Sequence, residues 1–422
     1  MPLTTTQQSF RNPIRPVHEA RGNLYTIVCK KLAGGKLKLS KRISEIPPSG
    51  TFKVLALSKK LEREGKEIIH LDVGEPDFDT PEHIKEAAKD ALARGMTKYT
   101  PSAGMFELRE AIAKSFTERN IPTSPEEVLV TPGAKHAIFC AMITVLDPGD
   151  EVLIPSPCWT YDGIARVAGV KPTFIKTSKE DGFRLRADDV AEKITSRARM
   201  LVLNSPNNPT GAVLEKEDLV GLLDLAVDHD LWILADEIYD RFVYEGRHVS
   251  VISFPQVRER TVYINGFSKT YAMTGWRLGY SIAPNEITEK MIKVQQATTT
   301  CPPPFVQIAG VAALKGSQEC VEKMLREYSK RRELIVRGLN SIDGIRCAKP
   351  AGAFYAFPNI EELGIGSSEF CERLLNDAGV ATVPGSAFGP HGEGHVRFSY
   401  ANSEKNIERA LERMKESIEH WG

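Results

Sequence analysis

From about residue 65 to residue 282 the chain repeats one pattern: a short apolar run rich in β-forming residues, then a segment of helical length. The runs fall at 68–73, 128–131, 151–154, 173–176, 200–204, 231–235, 261–265 and 278–282. Helical patterns such as 136–146 and 215–229 lie between several of them. Runs that are apolar at nearly every position belong to strands buried on both faces. Alternating with helices, they predict an α/β fold with a mostly parallel central sheet flanked by helices. After Cys301 the texture changes. Pro302-Pro303-Pro304 interrupts the chain, and a long helical pattern then runs to about Leu339. Short strands are expected near 345–349, 353–357, 381–383 and 396–400, with a helix near 367–377. A final helix from about 403 carries Ile407, Ala410, Leu411, Met414 and Ile418 on one face. The expected division is an extension over 1–36, a joining segment over 37–64, a large domain over 65–300 and a small α+β domain over 301–422.

Composition narrows the function. The 422 residues carry 55 Lys+Arg against 55 Asp+Glu, so no basic excess points to nucleic acid or an anionic membrane. No apolar run approaches the roughly 18 residues of a membrane span. Seven cysteines at 29, 140, 158, 301, 320, 347 and 371 are odd in number and contain no CxxC, which fits a reducing compartment, the cytoplasm. The first 42 residues hold nine Lys/Arg against the single acid Glu19. That composition gives an organellar transit peptide as the alternative location, or a dispensable arm; no apolar core supports secretion. The nine histidines show no ligand spacing, so no metal is expected.

In open α/β sheets ligands gather beyond the carboxyl ends of the strands. Behind 200–204 stands Ser205-Pro206-Asn207-Asn208-Pro209-Thr210-Gly211, behind 231–235 stands Asp236-Glu237-Ile238-Tyr239, and behind 261–265 stands Gly266-Phe267-Ser268-Lys269. Pro132-Gly133-Ala134-Lys135 follows 128–131 and opens a helix. Amide, carboxylate, phenol, amine and a helix N-terminus thus converge on one edge. A lysine amine can form a Schiff base with an aldehyde, and a buried carboxylate can keep a pyridinium nitrogen protonated. Amide and phenol suit a phenolate oxygen, and the helix N-terminus suits a phosphate. Together these demands describe pyridoxal 5′-phosphate. Signatures for nicotinamide cofactors, P-loop nucleotides, HExxH metalloproteases and GxSxG hydrolases are missing.

Three of these stretches, SPNNPTG at 205–211, DEIY at 236–239 and NGFSKTYAMTGWRLGY at 265–280, resemble class I/II aminotransferases of pyridoxal-phosphate fold type I. The resemblance runs from about Leu39 to the C-terminus. Within the family, LDVGEPDF at 71–78 and VPGSAFG at 383–389 are similar to the bacterial and archaeal aspartate/aromatic branch. The resemblance implies that Lys269 forms the Schiff base and shuttles the proton, while Asp236 pairs with the pyridinium nitrogen. It gives Tyr239 and Asn208 to the phenolic oxygen and Trp159 to the ring face, with Trp159 and Asn208 also facing substrate. Arg277, Gly133 and the Ala134 and Lys135 amides would surround the phosphate. Ser268 would help, because Gly266 stands where some relatives carry a hydroxyl. Tyr99 would reach the phosphate of a neighbouring subunit, implying a homodimer with shared sites. Arg397 would clamp the substrate α-carboxylate, aided by the Gly74 N–H.

The implied reaction is ping-pong transfer of an amino group from an L-amino acid to a 2-oxo acid, 2-oxoglutarate. Substrate choice is less constrained. No arginine lies between residues 291 and 305, where one aspartate-using branch places one, but Lys135 occupies the position another branch uses. Aspartate is therefore the expected donor, with aromatic amino acids open; alanine or another amino acid, or a β-lyase reaction on the same fold, is the alternative. Prephenate-using relatives carry a lysine where this chain has Pro47. A DNA-binding regulator is disfavoured, since 36 leading residues are short for a winged helix.

Overall fold

The computed structural model describes residues 40–44, 46, 50–159 and 161–421. The expected extension over 1–36, Cys29 and Pro47 lie outside the described residues. Up to residue 45, the described part is one helical turn, Lys41–Ser44. Residues from 46 onward form a separate compact unit.

The described residues of that unit form twelve strands: β1 (Ile69–His70), β2 (Val128–Thr131), β3 (Glu151–Ser156), β4 (Lys171–Lys176), β5 (Ala198–Asn204), β6 (Trp232–Asp236), β7 (Thr261–Gly266), β8 (Gly279–Ile282), β9 (Tyr355–Ala356), β10 (Val380–Ala381), β11 (Val383–Pro384) and β12 (Val396–Ser399). Seven make the central sheet in the order β2-β8-β7-β6-β5-β3-β4. Six point the same way, and β8 alone runs antiparallel to both neighbours, β2 and β7. Every residue of β2, β3, β7 and β8 is buried, which is why these strands read as continuous apolar runs. Leu201, Val202 and Leu203 on β5 are buried too, each contributing roughly 1.5–3 kcal/mol of hydrophobic stabilisation. β4, at one edge, is the most open strand of the sheet, with Ile175 its single buried residue. The α/β architecture expected from the sequence is therefore the one found.

Register sets the functional edge. Asn204 ends β5 opposite Asp236 at the end of β6, and Asp236 in turn pairs with Ile264 of β7. Because β8 is antiparallel, its first residue, Gly279, lies opposite both Thr131 and Gly266, the last residues of β2 and β7. The polar segments that follow β2, β5, β6 and β7 thus emerge on one side.

Three sequence expectations need correction. The strand expected at 68–73 is only β1, and it pairs in parallel with β10 instead of joining the large sheet. Residues 345–349 form no strand; Arg346 makes a single bridge to Asn359. The long helix after the prolines is two helices, Pro304–Lys315 and Glu319–Asn340. The break is held by Gln318, whose Nε2 donates to the carbonyls of Ala313 and Gly316 at 3.0 and 2.9 Å. The last helix, Glu404–Glu419, starts where Ser403 Oγ accepts from Asn406 N–H, and it buries Ile407, Ala410 and Met414 as its spacing predicts. It packs with Glu319–Asn340 beside the antiparallel strands β11-β12-β9. Leu61, on the helix Gly50–Arg63, packs against Leu375 and Ala381.

Candidate active site

The loop after β5 folds on its own asparagines. Asn204 Oδ1 accepts from Asn207 Nδ2 and from the Asn208 N–H, and Asn207 Oδ1 accepts from the N–H and hydroxyl of Thr210. This network buries Asn208 and turns its Oδ1 to accept from Arg397 Nη1 at 3.1 Å. Arg397 comes from β12, 3% exposed. Its Nη2 donates to the Asp72 carbonyl at 2.5 Å, and its guanidinium stacks 4.6 Å from the Tyr355 ring centroid.

Asp236 ends β6 and is 4% exposed. Its Oδ2 accepts from the Tyr161 hydroxyl at 2.6 Å and its Oδ1 from the Ile238 N–H at 3.2 Å. Burial nevertheless pushes the carboxyl up to about 6, because two neutral donors do not replace the lost water. Lys269 hangs from the loop between β7 and β8, with Nζ donating to the Gly74 carbonyl at 2.5 Å. Burial brings this ammonium down to about 8, opposed mainly by the Glu75 carboxylate. One cavity therefore holds a buried acid and a buried base, each driven toward its uncharged form.

The third corner is the start of the helix Ala134–Val145. Gly133 precedes it at φ +88°, a left-handed conformation that glycine adopts without strain. The first bond to the preceding turn comes from the His136 N–H, so the Ala134 and Lys135 amides have no acceptor within the helix. Arg277, itself at φ +55°, lays its guanidinium against Gly133, where a Cβ would collide with it. Gly279 lies directly beneath: a Cβ there would sit 2.5 Å from the Gly133 carbonyl carbon. Two glycines and one arginine thus leave an open cationic corner beside two amides.

These groups line one cavity of about 300 Å³ together with Gly74, Lys135, Trp159, Tyr239 and Ser268. Lys135 Nζ sits 4.6 Å from the centre of the Trp159 ring, and burial lowers its ammonium, helped by the Arg277 charge. The Tyr239 hydroxyl hydrogen-bonds the Tyr355 hydroxyl at 2.7 Å, while burial raises its phenol. Gly133 stands behind the Ala134 amide, outside the lining. Tyr99 is 88% exposed and is the one nominated side chain that this copy of the chain leaves out of the cavity. Sequence reasoning missed Tyr161, Asn204, Tyr355 and the Asp72 carbonyl. Tyr161 follows Trp159 by two residues, but its bond to Asp236 depends on packing. Tyr355 is brought beside Arg397 by the β9–β12 register, with Tyr355 opposite Ser399.

Chemically, the arrangement offers an anion site at the Ala134 and Lys135 amides with Arg277, an anionic partner for a cationic ring nitrogen at Asp236, and an amine for a carbonyl carbon at Lys269. A second anion can meet Arg397. Among the described residues no cluster of His, Cys, Asp and Glu could hold a metal ion, and no helix is long and apolar enough to cross a membrane.

The sequence family described as aminotransferase class I and II matches residues 66–414. An aromatic-amino-acid aminotransferase 2 of Thermococcus litoralis is 46% identical over 388 residues, covering 90% of this chain and 98% of that protein. An aspartate aminotransferase of Pyrococcus abyssi is 45% identical over the same 90% and 98%. Among solved structures, aspartate aminotransferase from Thermus thermophilus with maleate superposes at a TM-score of 0.87 and 44% identity, covering 90% of this chain and 100% of that one. A match over most of the chain, at these identities and on the same fold, makes the protein a transaminase that belongs to the class I and II aminotransferases.

Proposed function

We propose that the cavity holds pyridoxal 5′-phosphate and moves the amino group of an L-amino acid, aspartate or an aromatic one, to 2-oxoglutarate. The observation that carries this reading is geometric: Lys269, Asp236 and the Ala134–Lys135 helix start with Arg277 line one cavity, and burial there draws the amine down to about 8 and the carboxyl up to about 6. A cationic aromatic nitrogen and an aldehyde relieve both at once. The residues fit the group: the Ala134 and Lys135 amides with Arg277 would take its phosphate, and Trp159 would face its ring. Asn208 and Tyr239 would take its phenolic oxygen, and Ser268 would complete the phosphate end. When bound, the cofactor supplies a carbonyl carbon for amines and a ring that withdraws electrons from the substrate α-carbon.

The chain's own groups do the rest. The Asp236 carboxylate would keep a proton on the ring nitrogen, and the Tyr161 hydroxyl fixes that carboxylate. Lys269 Nζ would take the proton from the substrate α-carbon and return it to the carbon that the cofactor contributes as an aldehyde, once in each half-reaction. Arg397 holds the α-carboxylate with the Gly74 backbone, orienting the bond to be broken. Residues 65–300 would bind the cofactor and residues 301–422 bring Arg397. Tyr99, exposed in one copy, supports a homodimer in which it completes the neighbour's phosphate site. The described cysteines, Cys140, Cys158, Cys301, Cys320, Cys347 and Cys371, are free thiols, which supports a cytoplasmic location.

The relatives named for aspartate and for aromatic amino acids support both donor classes, and the maleate complex supports a dicarboxylate subsite. Lys135 is the cation placed to read it. The test is a donor panel with 2-oxoglutarate, run on wild type and Lys135→Asn. Glutamate should form from both donors, and the substitution should cut kcat/KM for aspartate about tenfold while leaving phenylalanine within about twofold. Pyruvate and ammonia in place of glutamate would favour the lyase reaction; equal losses would remove Lys135 as the reader.

A further inference from the structure

Two site cations are moored to one short stretch of backbone. Arg397 donates to the Asp72 carbonyl, and Lys269 donates to the Gly74 carbonyl two residues on. On the main chain, Leu71 N–H donates to Ala381 and Leu71 C=O accepts from Ser399. The Asn402 amide donates to the His70 carbonyl at 2.9 Å.

The side chains add an unusual anchor. Asp72 is completely buried, its Oδ1 lies 2.9 Å from His70 Nδ1, and its Oδ2 has no hydrogen-bond partner among the described residues. The other ring nitrogen, Nε2, lies 3.0 Å from Glu62 Oε1, on the helix Gly50–Arg63. An imidazole between two carboxylate oxygens satisfies both only with a proton on each nitrogen. The groups around it agree: the Asp72 hydrogen bond raises its pKa most, burial opposes, and Glu62 adds to the rise. Lys59 pairs with Glu62 on the solvent side. From the helix Ser367–Arg373 the titratable neighbour of Asp72 is Cys371, a thiol that burial pushes up to about 12 and so keeps neutral. His70 supplies the positive charge that compensates the buried Asp72 carboxylate.

We propose that His70 is a positioning residue for substrate binding: clasped between Glu62 and Asp72, it fixes the 72–74 backbone and, through it, the guanidinium of Arg397. Without that charge the carboxylate side chain of Asp72 loses its partner, and taking up a proton or drawing the segment toward water both break the clasp that holds residues 72–74. The α-carboxylate contact then loosens for every amino donor alike, because every donor carries that group. The chemical step is affected less: Asp236 is held by Tyr161 and Ile238, away from this stretch, and Lys269, carried by the β7–β8 loop, shares with it only the Gly74 carbonyl. This inference rests on the proposed role of Arg397.

The experiment uses purified holoenzyme with aspartate and phenylalanine as donors. His70→Gln should raise KM for both about fivefold while kcat stays within about twofold. The KM of wild type should climb with rising pH through a titration that His70→Gln lacks. The double variant His70→Gln/Asp72→Asn, which neutralises both partners and keeps a hydrogen bond, should return KM to within about twofold of wild type. Unchanged KM in His70→Gln, a rise for one donor alone, or no recovery in the double variant would overturn the proposal. If His70→Gln does not fold, Glu62→Gln removes the outer partner, and it should raise both KM values about twofold; no rise would overturn the proposal equally. Arg397→Lys separates the two questions: an unchanged KM there refutes the carboxylate role of Arg397 itself, whatever His70 does.

Discussion

Replacing Asp236 by asparagine should stabilise the cofactor-free protein and destabilise the loaded one. In the apoprotein the buried carboxyl is raised from 3.8 to about 6. At roughly 1.4 kcal/mol per pH unit, that corresponds to about 3 kcal/mol by which folding disfavours its ionised form. The sign follows from proton binding. Between pH 3.8 and about 6 the folded state holds the proton and the unfolded state does not, so stability falls as pH rises through that window. The loss is complete above it. Asparagine does not titrate, and its amide can still accept from the Ile238 N–H and donate to the Tyr161 oxygen. Urea unfolding of the two apoproteins at pH 4.5 and 7.5 measures the difference. The variant's advantage should be small at the lower pH and approach about 3 kcal/mol at the higher one. Adding pyridoxal phosphate should reverse the order, since a neutral amide cannot hold a pyridinium. A wild-type apoprotein as stable as the variant at pH 7.5, or a gap that ignores pH, would refute the reasoning.

Gly279→Ala should weaken cofactor binding about tenfold or more while leaving the rest of the sheet folded, because the added methyl would strike the Gly133–Ala134 backbone at the proposed phosphate corner; equilibrium dialysis of the cofactor reads the effect. Uptake of pyridoxal phosphate by apoprotein should accelerate as pH rises and level off near 8. At pH 7 about one Lys269 amine in ten is already neutral, against about one in three thousand for an ordinary lysine. Stopped-flow absorbance follows it, and a rate still rising tenfold per pH unit at pH 9.5 would contradict the buried amine.

The parts of the fold legible in the sequence were those governed by local or strand-level rules. β2, β3, β7 and β8 are buried along their whole length, so their apolar runs were unmistakable, and the rule that ligands gather beyond strand ends then singled out Asn208, Asp236 and Lys269. Contacts between distant elements left no such trace. Tyr161 meets Asp236 across 75 residues, Tyr355 meets Tyr239 across 116, and Asp72 meets Arg397 across 325. Each depends on register or packing that no periodicity encodes. The two-residue strands β1, β9, β10 and β11 are too short to show alternation, so nothing in the sequence separates β1 from the strands of the large sheet. The helix break near Gly316 hung on one glutamine side chain turning back on the preceding carbonyls.

The most direct test of the account is chemical. Reduction of the purified holoenzyme with borohydride, followed by peptide mass analysis, should find pyridoxyl phosphate covalently attached to Lys269, and Lys269→Ala should show neither the attachment nor transamination. Attachment at another lysine, or full activity in Lys269→Ala, would contradict it.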